Sequence, residues 1–283
     1  MVVYPVLTVS PKILPVLDPE FQPAALWNRA YRQAVASAGG SKLALALERG
    51  GGAVSVFRTE VLPHHGANVP LNQRYLERLL KFLLWQKGGY RVTVGGDPEI
   101  ARWLQEVYGP EGPRAFDYRF LGEQVYRRPL EIEAYVFDGV PAERETAALL
   151  GRHLDGYRIG FDLGASDRKC AAVADGKVIF SEEVPWDPSR QTDPQYHFNG
   201  INDSLRRAAA KLPRVDAIGG SAAGVYVGNE VRAGSLYRSV PPQSFQTHIR
   251  PLFLELRKRW GGIPFEVVND GEVTALAGSM ALN

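Results

Sequence analysis

The stretch Tyr157–Phe180, YRIGFDLGASDRKCAAVADGKVIF, decides the fold that the sequence predicts for the second half of the chain. Its apolar runs predict three successive strands, of which the first two are joined by a polar turn. The predicted parts are strand Tyr157–Leu163, turn Gly164–Lys169, strand Cys170–Ala174 and strand Val178–Phe180. Asp175-Gly176 joins the last two strands, because Asp and Gly tolerate the positive φ of a tight hairpin turn.

Asp162 stands at the end of the first of these strands, where apolar neighbours cannot satisfy a carboxylate. Gly164 lets backbone N–H groups approach an anion closely. A carboxylate beside such a turn fits a phosphate ligand with a hydrated Mg²⁺ between the two. The alternative is an ordinary hairpin in which Asp162 hydrogen-bonds the backbone of the turn.

The residues Asp162-Leu163-Gly164-Ala165, followed by Asp167-Arg168-Lys169, resemble the first phosphate loop of the sugar kinase–heat-shock–actin superfamily. From Tyr157 to Asn283 the sequence is most similar to the ROK branch, which contains bacterial sugar kinases and kinase-derived repressors. The resemblance implies an α/β fold of two α/β domains, the second a ribonuclease-H-like lobe of the actin/hexokinase type. It implies ATP and Mg²⁺ as cofactors, with the metal near Asp162 and the phosphates near Gly164, Ala165, Ser166 and Lys169.

Two later stretches resemble the sugar-binding part of ROK proteins. The predicted strand Val215–Gly219 ends in small residues where the family has Pro-Gly beside the sugar; Ala223 replaces that proline and Gly224 is kept. Asn269-Asp270 lie between the predicted strand Ile263–Val268 and the predicted helix Val273–Leu282. The resemblance implies that Asp270 is the general base that takes the proton from a sugar hydroxyl, and that the sugar contacts Ser221, Gly224, Asn269 and Glu272. Close strand–helix packing and helix capping are the structural alternatives.

The sequence also departs from the family pattern. Arg238-Ser239-Val240 stands where the family has an Asn-Leu-Pro-like loop, and Val268 replaces the glutamate before Asn-Asp. The single cysteine cannot supply the family's zinc-binding His and Cys cluster. The resemblance implies an ATP-dependent carbohydrate kinase-like protein, and the retained Asp162 and Asp270 favour it. The altered loop and the missing zinc cluster favour the alternative, a non-catalytic sugar-sensing or scaffold protein on the same fold. The loop aromatics Trp186, Tyr196 and His197 are expected either to cap a core edge or to line a sugar pocket.

The first half of the chain follows a proline-broken arm, Met1–Gln22, and predicts a further α/β domain. Its predicted elements are helix Ala24–Ala38, strands Lys42–Leu47 and Ala53–Leu62, helix Leu71–Gln86, strand Tyr90–Val94, helix Pro98–Tyr108 and two strands within Phe116–Phe137. Overlaying Leu47–Gly51 on Phe161–Ala165, and Tyr90–Gly96 on Val215–Gly220, suggests a degenerate or rearranged copy of an actin-like half. A charged helix, Pro141–Leu154, is expected to link domains 1–150 and 151–283.

The family's second phosphate loop and adenosine loop lie beyond the Asn-Asp helix, where this chain ends at Asn283. Three explanations follow. We favour a chain that lacks its C-terminal nucleotide lobe. Alternatively, the first half supplies that lobe in rearranged order, with Gly50–Gly52 and Gly95-Gly96 as its loops, or the protein is a degenerate binding protein.

The composition limits the partners and the compartment. With 23% charged residues and a net charge of +2, the sequence gives no electrostatic case for a nucleic-acid or membrane surface. One cysteine cannot form an internal disulfide, so we expect a cytoplasmic protein. The resemblance implies a small-molecule sugar as ligand and is compatible with a homodimer.

Overall fold

A computed structural model of the protein describes residues 7, 9–145 and 154–282. The chain divides into two compact units, Met1–Ala147 and Ala148–Asn283. Each unit combines one main β-sheet with helices, so the α/β class predicted from the sequence is confirmed. None of the helices in the described part of the chain has the length and apolar composition needed to span a bilayer.

The first unit contains four α-helices and four strands within its described residues. In chain order these are α1 (Ala24–Ala38), β1 (Ser41–Glu48), β2 (Val54–Val61), α2 (Asn68–Lys87), β3 (Arg91–Gly95), α3 (Pro98–Val107), α4 (Ala115–Asp117) and β4 (Glu131–Tyr135). The strands pair in the order β2-β1-β3-β4, which we call the N-terminal sheet. Its core is built from buried side chains of α1, α2, α3 and the strands, among them Trp27, Leu45 and Leu80.

The predicted pair of strands within Phe116–Phe137 is wrong in its first part. Residues from Ala115 to Tyr126 are helical, with a π-helix over Tyr118–Tyr126, and only β4 is a strand. Phe116 and Phe120 are four residues apart, so a helix places them on one face. There both rings stack on Trp85 of α2, with ring centroids 6.3 and 5.2 Å from its ring. Tertiary stacking therefore overrides the strand-like alternation of aromatics.

The predicted linking helix Pro141–Leu154 lies largely outside the described residues. Its described residues 141–145 are not helical, and Arg144 instead pairs with Val54 at the edge of β2 through both backbone hydrogen bonds (2.8 and 2.9 Å). This pairing covers one end of an edge strand that would otherwise expose unpaired backbone groups.

The second unit contains seven strands and four α-helices within the described residues. In chain order these are β5 (Tyr157–Leu163), β6 (Asp167–Ala174), β7 (Lys177–Pro185), α5 (Pro194–Ala209), β8 (Ala217–Ala222), β9 (Val225–Val227), β10 (Glu230–Ala233), α6 (Pro242–Ser244), α7 (Leu252–Arg259), β11 (Phe265–Asn269) and α8 (Asp270–Ala281). The predicted turn at Asp175-Gly176 is present, with φ values of 46° and 78°. Helix α5 begins at Pro194, because the side chain of Asp193 accepts from the backbone N–H of Gln195 and so caps the helix.

Five of these strands pair in the order β11-β8-β5-β6-β7, which we call the C-terminal sheet. β6 is antiparallel to β5 and β7, whereas β8 and β11 are parallel to β5. This order, with only the second strand reversed, is the ribonuclease-H-like arrangement that the resemblance implies. One face of the sheet packs on α5 and α7 around Phe161, Leu205 and Phe253.

The predicted duplication is wrong in its strand polarity. In the C-terminal sheet β8 runs parallel to β5, but in the N-terminal sheet β3 runs antiparallel to β1, with Glu48 beside Arg91 and Ala44 beside Gly95. The overlay of Tyr90–Gly96 on Val215–Gly220 therefore reverses one strand relative to its neighbour. The two units share the order hairpin, helix, strand, but they do not share a sheet topology.

Candidate functional site

The carboxyl ends of β5, β8 and β11 meet at one edge of the C-terminal sheet. Asp162 pairs with Ser221, and Ala222 pairs with Asn269, so the predicted residues on three strands come together here. The hydroxyl of Ser221 donates a hydrogen bond to Oδ1 of Asp162 at 2.6 Å. Ligands of α/β sheets bind outside the carboxyl ends of parallel strands. This edge is therefore the candidate site of the second unit.

A cleft of about 590 Å³ opens on the sheet face next to that edge. Asp162, Lys169 and Ser221 line it together with Glu183 of β7 and Val273 of α8. Gly160 lies in the middle of β5 and lines the cleft, where its missing side chain leaves open space. The structure thus brings three of the predicted residues into one concave surface.

The turn between β5 and β6 is held by its own residues. The N–H of Gly164 donates to the carbonyl of Asp167 (2.9 Å), so this N–H is engaged within the turn. Trp186 donates its indole N–H to the carbonyl of Gly164 (2.9 Å) and its backbone N–H to that of Ser166 (3.0 Å). Among the described residues, the N–H groups of Ala165 and Ser166 have no acceptor. These two groups are the donors that the turn offers to a phosphate.

Lys169 is the cation of the cleft, and it lies in β6 instead of the predicted turn. Its ammonium is 3.1 Å from Oδ1 of Asp167 and 3.9 Å from Oε2 of Glu183. The hydrogen bond to Asp167 is the largest cause that raises the pKa of Lys169, and the charges of Glu183 and Asp162 raise it further. Asp167 in turn accepts from the hydroxyl of Ser166 (2.8 Å), which is the main cause that lowers the pKa of Asp167. Lys169 is thus held charged among carboxylates.

Asn269 and Asp270 join β11 to α8. The side chain of Asn269 caps the helix by accepting from the N–H of Gly271 (2.8 Å) and donates to the carbonyl of Gly224 (2.8 Å). Asp270 is exposed, and its Oδ1 accepts only from the same N–H of Gly271 (2.9 Å) among the described residues. Glu272 is exposed in the first turn of α8. Capping therefore accounts for Asn269 and leaves the carboxylate of Asp270 open to a ligand.

Gly224 is fixed by close packing. Its φ is 144°, and a Cβ at this position would overlap the carbonyl of Ala233 and lie 3.2 Å from the hydroxyl of Tyr226. Only glycine fits this turn, so the small residues predicted here serve packing as well as access.

Sequence reasoning missed Glu183 and Tyr226. The hydroxyl of Tyr226 donates to the carbonyl of Ala223 (3.3 Å), and both its burial and the nearby charge of Asp270 raise the pKa of Tyr226. Nothing in the segment 225–237 singled out this tyrosine. Trp186 and His197, in contrast, are buried in the core, at 7% and 0% exposure, so they cap the core and do not line the cleft.

No family model and no curated protein matches the sequence. Solved structures that resemble part of the chain include a ROK family transcriptional regulator homologous to the E. coli MLC protein, with 22% identity over 45% of this chain and 31% of that one and a TM-score of 0.36. They also include a glucokinase from Parabacteroides distasonis (18% identity, 42% and 32% covered, TM-score 0.32) and a ROK hexokinase from Thermus thermophilus (18%, 40% and 35%, TM-score 0.31). The resemblance to ROK proteins is confirmed by these neighbours, and the chain spans about a third of their length.

Proposed function

We propose that the second unit is one lobe of a carbohydrate kinase, which binds ATP with Mg²⁺ and a sugar at the shared edge of β5, β8 and β11. The observation that carries this proposal is the convergence of Asp162, Ser221 and Asn269-Asp270 at that edge. β5 and β11 are two strand spacings apart, which is roughly 10 Å. A phosphate group and the hydroxyl that attacks it fit between residues carried by strands that far apart.

Asp162 is the residue that would hold Mg²⁺. This ion keeps several waters and needs only one or two protein carboxylates beside the phosphates of its nucleotide. Ser221 occupies Oδ1 of Asp162, which leaves Oδ2 for the ion or its water. Within residues 7, 9–145 and 154–282, no group of three or more His, Cys, Asp or Glu side chains is arranged to bind a metal, so a site that uses one carboxylate fits this chain. The bound ion would neutralise phosphate charge.

Asp270 is the candidate general base, because a base must reach the proton that it removes and this carboxylate is exposed. The N-terminus of α8 holds its backbone in place. The side-chain amide of Asn269 donates to Gly224 through its nitrogen and accepts from Gly271 through its oxygen. We therefore propose that Asn269 positions Asp270 relative to Gly224 and also contacts the sugar. Glu272 lies two residues after Asp270, in the same first turn of α8, and would contact the same ligand.

A second candidate function is sugar binding without phosphoryl transfer. The specific observation that favours it is the pairing of Lys169 with Asp167, with Glu183 close by. An incoming phosphate must compete with two carboxylates for this ammonium, and like charges near the phosphate weaken its binding.

Calorimetric titrations of the 283-residue chain test the proposal. We expect Mg-ATP to bind saturably, with at least tenfold weaker binding to Asp162→Asn. Asp155→Asn is the matched control, because Asp155 is exposed and, among the described residues, paired only with Arg158. Asp270→Asn should keep the affinity for Mg-ATP and abolish transfer to a hexose in a coupled assay.

The outcomes separate the candidates. Binding of hexoses or N-acetylhexosamines with no binding of Mg-ATP would support the non-catalytic sugar protein. Equal binding of Mg-ATP to the wild type and to Asp162→Asn would remove Asp162 from the nucleotide site. The absence of binding by both ligand classes would contradict both functions for this chain.

A further inference from the structure

A second concave site lies in the first unit and is lined by residues that the proposed function does not use. It is a cavity of about 440 Å³ on the face of the N-terminal sheet, between α1 and α2, which we call the helix cavity. Its volume lies in the range of roughly 300–1,000 Å³ that is typical of small-molecule pockets.

The walls and floor of the helix cavity are mostly apolar. α2 supplies one wall and the strands β1 and β2 supply the floor. The main apolar lining residues are Leu47, Val56, Phe57, Tyr75, Leu79 and Leu83. Phe82, which is 60% exposed, stands at the mouth. A lining of this kind gains free energy when an apolar body replaces the water inside it.

One polar atom in the opposite wall lacks a partner. Oδ1 of Asn28, on α1, is buried, and no donor from the described residues reaches it. Buried acceptors in native proteins are almost always hydrogen-bonded, and an unsatisfied one is costly. A ligand that carries an N–H or O–H group would satisfy this atom.

The charges around the helix cavity balance. Arg32 and Lys87 face Glu143 and Glu145 in the lining, and Lys87 is 3.5 Å from Glu145. The carboxylate of Glu145 also accepts from the hydroxyl of Ser55 (2.5 Å). The rim therefore favours neither anions nor cations.

We propose that the helix cavity binds a neutral amphipathic small molecule, with an apolar body against α2 and the sheet and a hydrogen-bond donor directed at Asn28. The site is independent of the kinase-like edge in the second unit. Its ligand is selected by shape and by one hydrogen bond, because no net charge contributes.

The test uses the neutral fluorophore N-phenyl-1-naphthylamine, which has two aromatic ring systems and one N–H donor. We expect saturable binding to the full chain at one site. Asn28→Leu removes the acceptor and should weaken binding at least fivefold. Leu79→Trp and Val56→Trp fill the cavity from two different elements, and each should abolish binding while thermal unfolding shows a folded protein.

Two controls separate the cavity from the surface. Gln33→Leu makes the same kind of amide-to-leucine change at an exposed position of α1 and should leave the affinity unchanged. Phe116→Ser removes the most exposed ring of the stacked aromatics beside α2 and should also leave it unchanged. Non-saturable binding, loss of binding in Phe116→Ser, or wild-type binding in a folded cavity-filling variant would overturn the proposal. Wild-type binding in Asn28→Leu would overturn the proposed donor-bearing ligand.

Discussion

The two sheets of this protein differ in the direction of one strand, and that difference decides where polar turns can meet. In the C-terminal sheet β8 and β11 run parallel to β5, so the ends of these three strands lie at the same edge. In the N-terminal sheet β3 runs antiparallel to β1, so the end of β1 lies beside the start of β3. Parallel neighbours gather side chains into a site, whereas antiparallel neighbours separate them.

The glycine turns of the first unit show the consequence. Gly50–Gly52 follows the end of β1, whereas Gly95-Gly96 ends β3 near Lys42, at the opposite edge. Five residues of strand separate the two edges, which is roughly 16 Å. The two turns therefore cannot hold one phosphate group together, and the rearranged nucleotide lobe considered from the sequence is not supported.

The two faces of the C-terminal sheet give the largest expected effect. A Cβ on Gly220 would overlap the ring of Phe161, which is fixed in the core by Phe253 and Phe265. A Cβ on the neighbouring Gly219 meets nothing within 4 Å. We expect Gly220→Ala to lower the free energy of unfolding by about 3 kcal/mol, because an overpacked core forces its neighbours to shift. Gly219→Ala should change it by less than about 1 kcal/mol.

Urea unfolding, with hydrogen exchange to assign the loss to one unit, measures both variants. Reduced protection should be confined to the second unit. Equal losses of unfolding free energy in Gly219→Ala and Gly220→Ala would contradict the difference between the open and the packed face of the C-terminal sheet.

One aspartate in each unit can be compared by what its carboxylate contributes to stability. Asp117 in the first unit is 1% exposed and accepts from both Lys81 (2.9 and 3.0 Å) and the indole of Trp85 (2.6 Å). Asp117→Asn should lower the free energy of unfolding by about 2 kcal/mol, because hydrogen bonds to a buried charge are lost. Asp162 bonds only Ser221 among the described residues, so Asp162→Asn should cost less than about 1 kcal/mol. Equal costs in chemical denaturation would make Asp162 a structural residue and not a ligand-binding one.

Acid titration should affect the first unit through Glu145. The hydrogen bond from Ser55, followed by that from Arg49, lowers the pKa of Glu145 from 4.5 to about 2. Because the folded-state pKa is the lower one, the unfolded chain takes up its proton first on acidification. The contribution of Glu145 to stability is therefore complete above pH 4.5 and is lost as the pH falls from 4.5 towards 2. Its side chain is 37% exposed, so this contribution is about 1 kcal/mol or less.

The measurement compares unfolding of the wild type and Glu145→Gln at neutral pH and at pH values below 4.5. The difference in stability should shrink on acidification. Glu143→Gln is the control, since Glu143 is exposed two residues earlier on the same segment. A difference that is constant with pH would show that Glu145 is not ionised preferentially in the folded state.

Much of the fold was predictable because local patterns and tertiary packing agree. Helix Ala24–Ala38 has the predicted bounds, and the turn at Asp175-Gly176 follows from residues that accept positive φ. The strand-like Phe116–Tyr126 failed, because its aromatics are arranged to stack on Trp85 and sequence alone gives no sign of that partner. The start of α5 was available in principle from Asp193-Pro194, a capping residue followed by proline.

The candidate site was predictable in its residue types but not in its exact partners. The resemblance implied ligand contacts for Asp162, Ser221 and Asn269, and the register brings these three residues to one edge. Glu183 was missed for a physical reason. A two-residue hairpin at Asp175-Gly176 places Lys169 opposite Glu182, but an irregularity between Ala172 and Val173 shifts the pairing by one residue. A one-residue shift exchanges the two faces of a strand, and no feature of the sequence marks this one.

That shift yields the smallest and most specific prediction. Glu182 faces Arg207 (3.0 Å) and the thiol of Cys170, and its side chain is 18% exposed, so Glu182→Ala should lower the free energy of unfolding by about 1 kcal/mol. Glu183 is 61% exposed and 3.9 Å from Lys169, so Glu183→Ala should change it by less than about 0.5 kcal/mol.

The binding experiment gives the opposite ranking for the same pair. Glu183→Ala removes a carboxylate that competes for Lys169, so we expect it to raise the affinity of the cleft for Mg-ATP about two- to fivefold, whereas Glu182→Ala should leave this affinity unchanged. If the β6–β7 hairpin had no register shift, Glu182 would face Lys169. Glu182→Ala would then raise the affinity for Mg-ATP, and Glu183→Ala would cause the larger loss of stability. Unfolding and titration of the Glu182→Ala and Glu183→Ala variants therefore test the register shift that places Glu183 opposite Lys169. They also test the role of Lys169 in binding Mg-ATP.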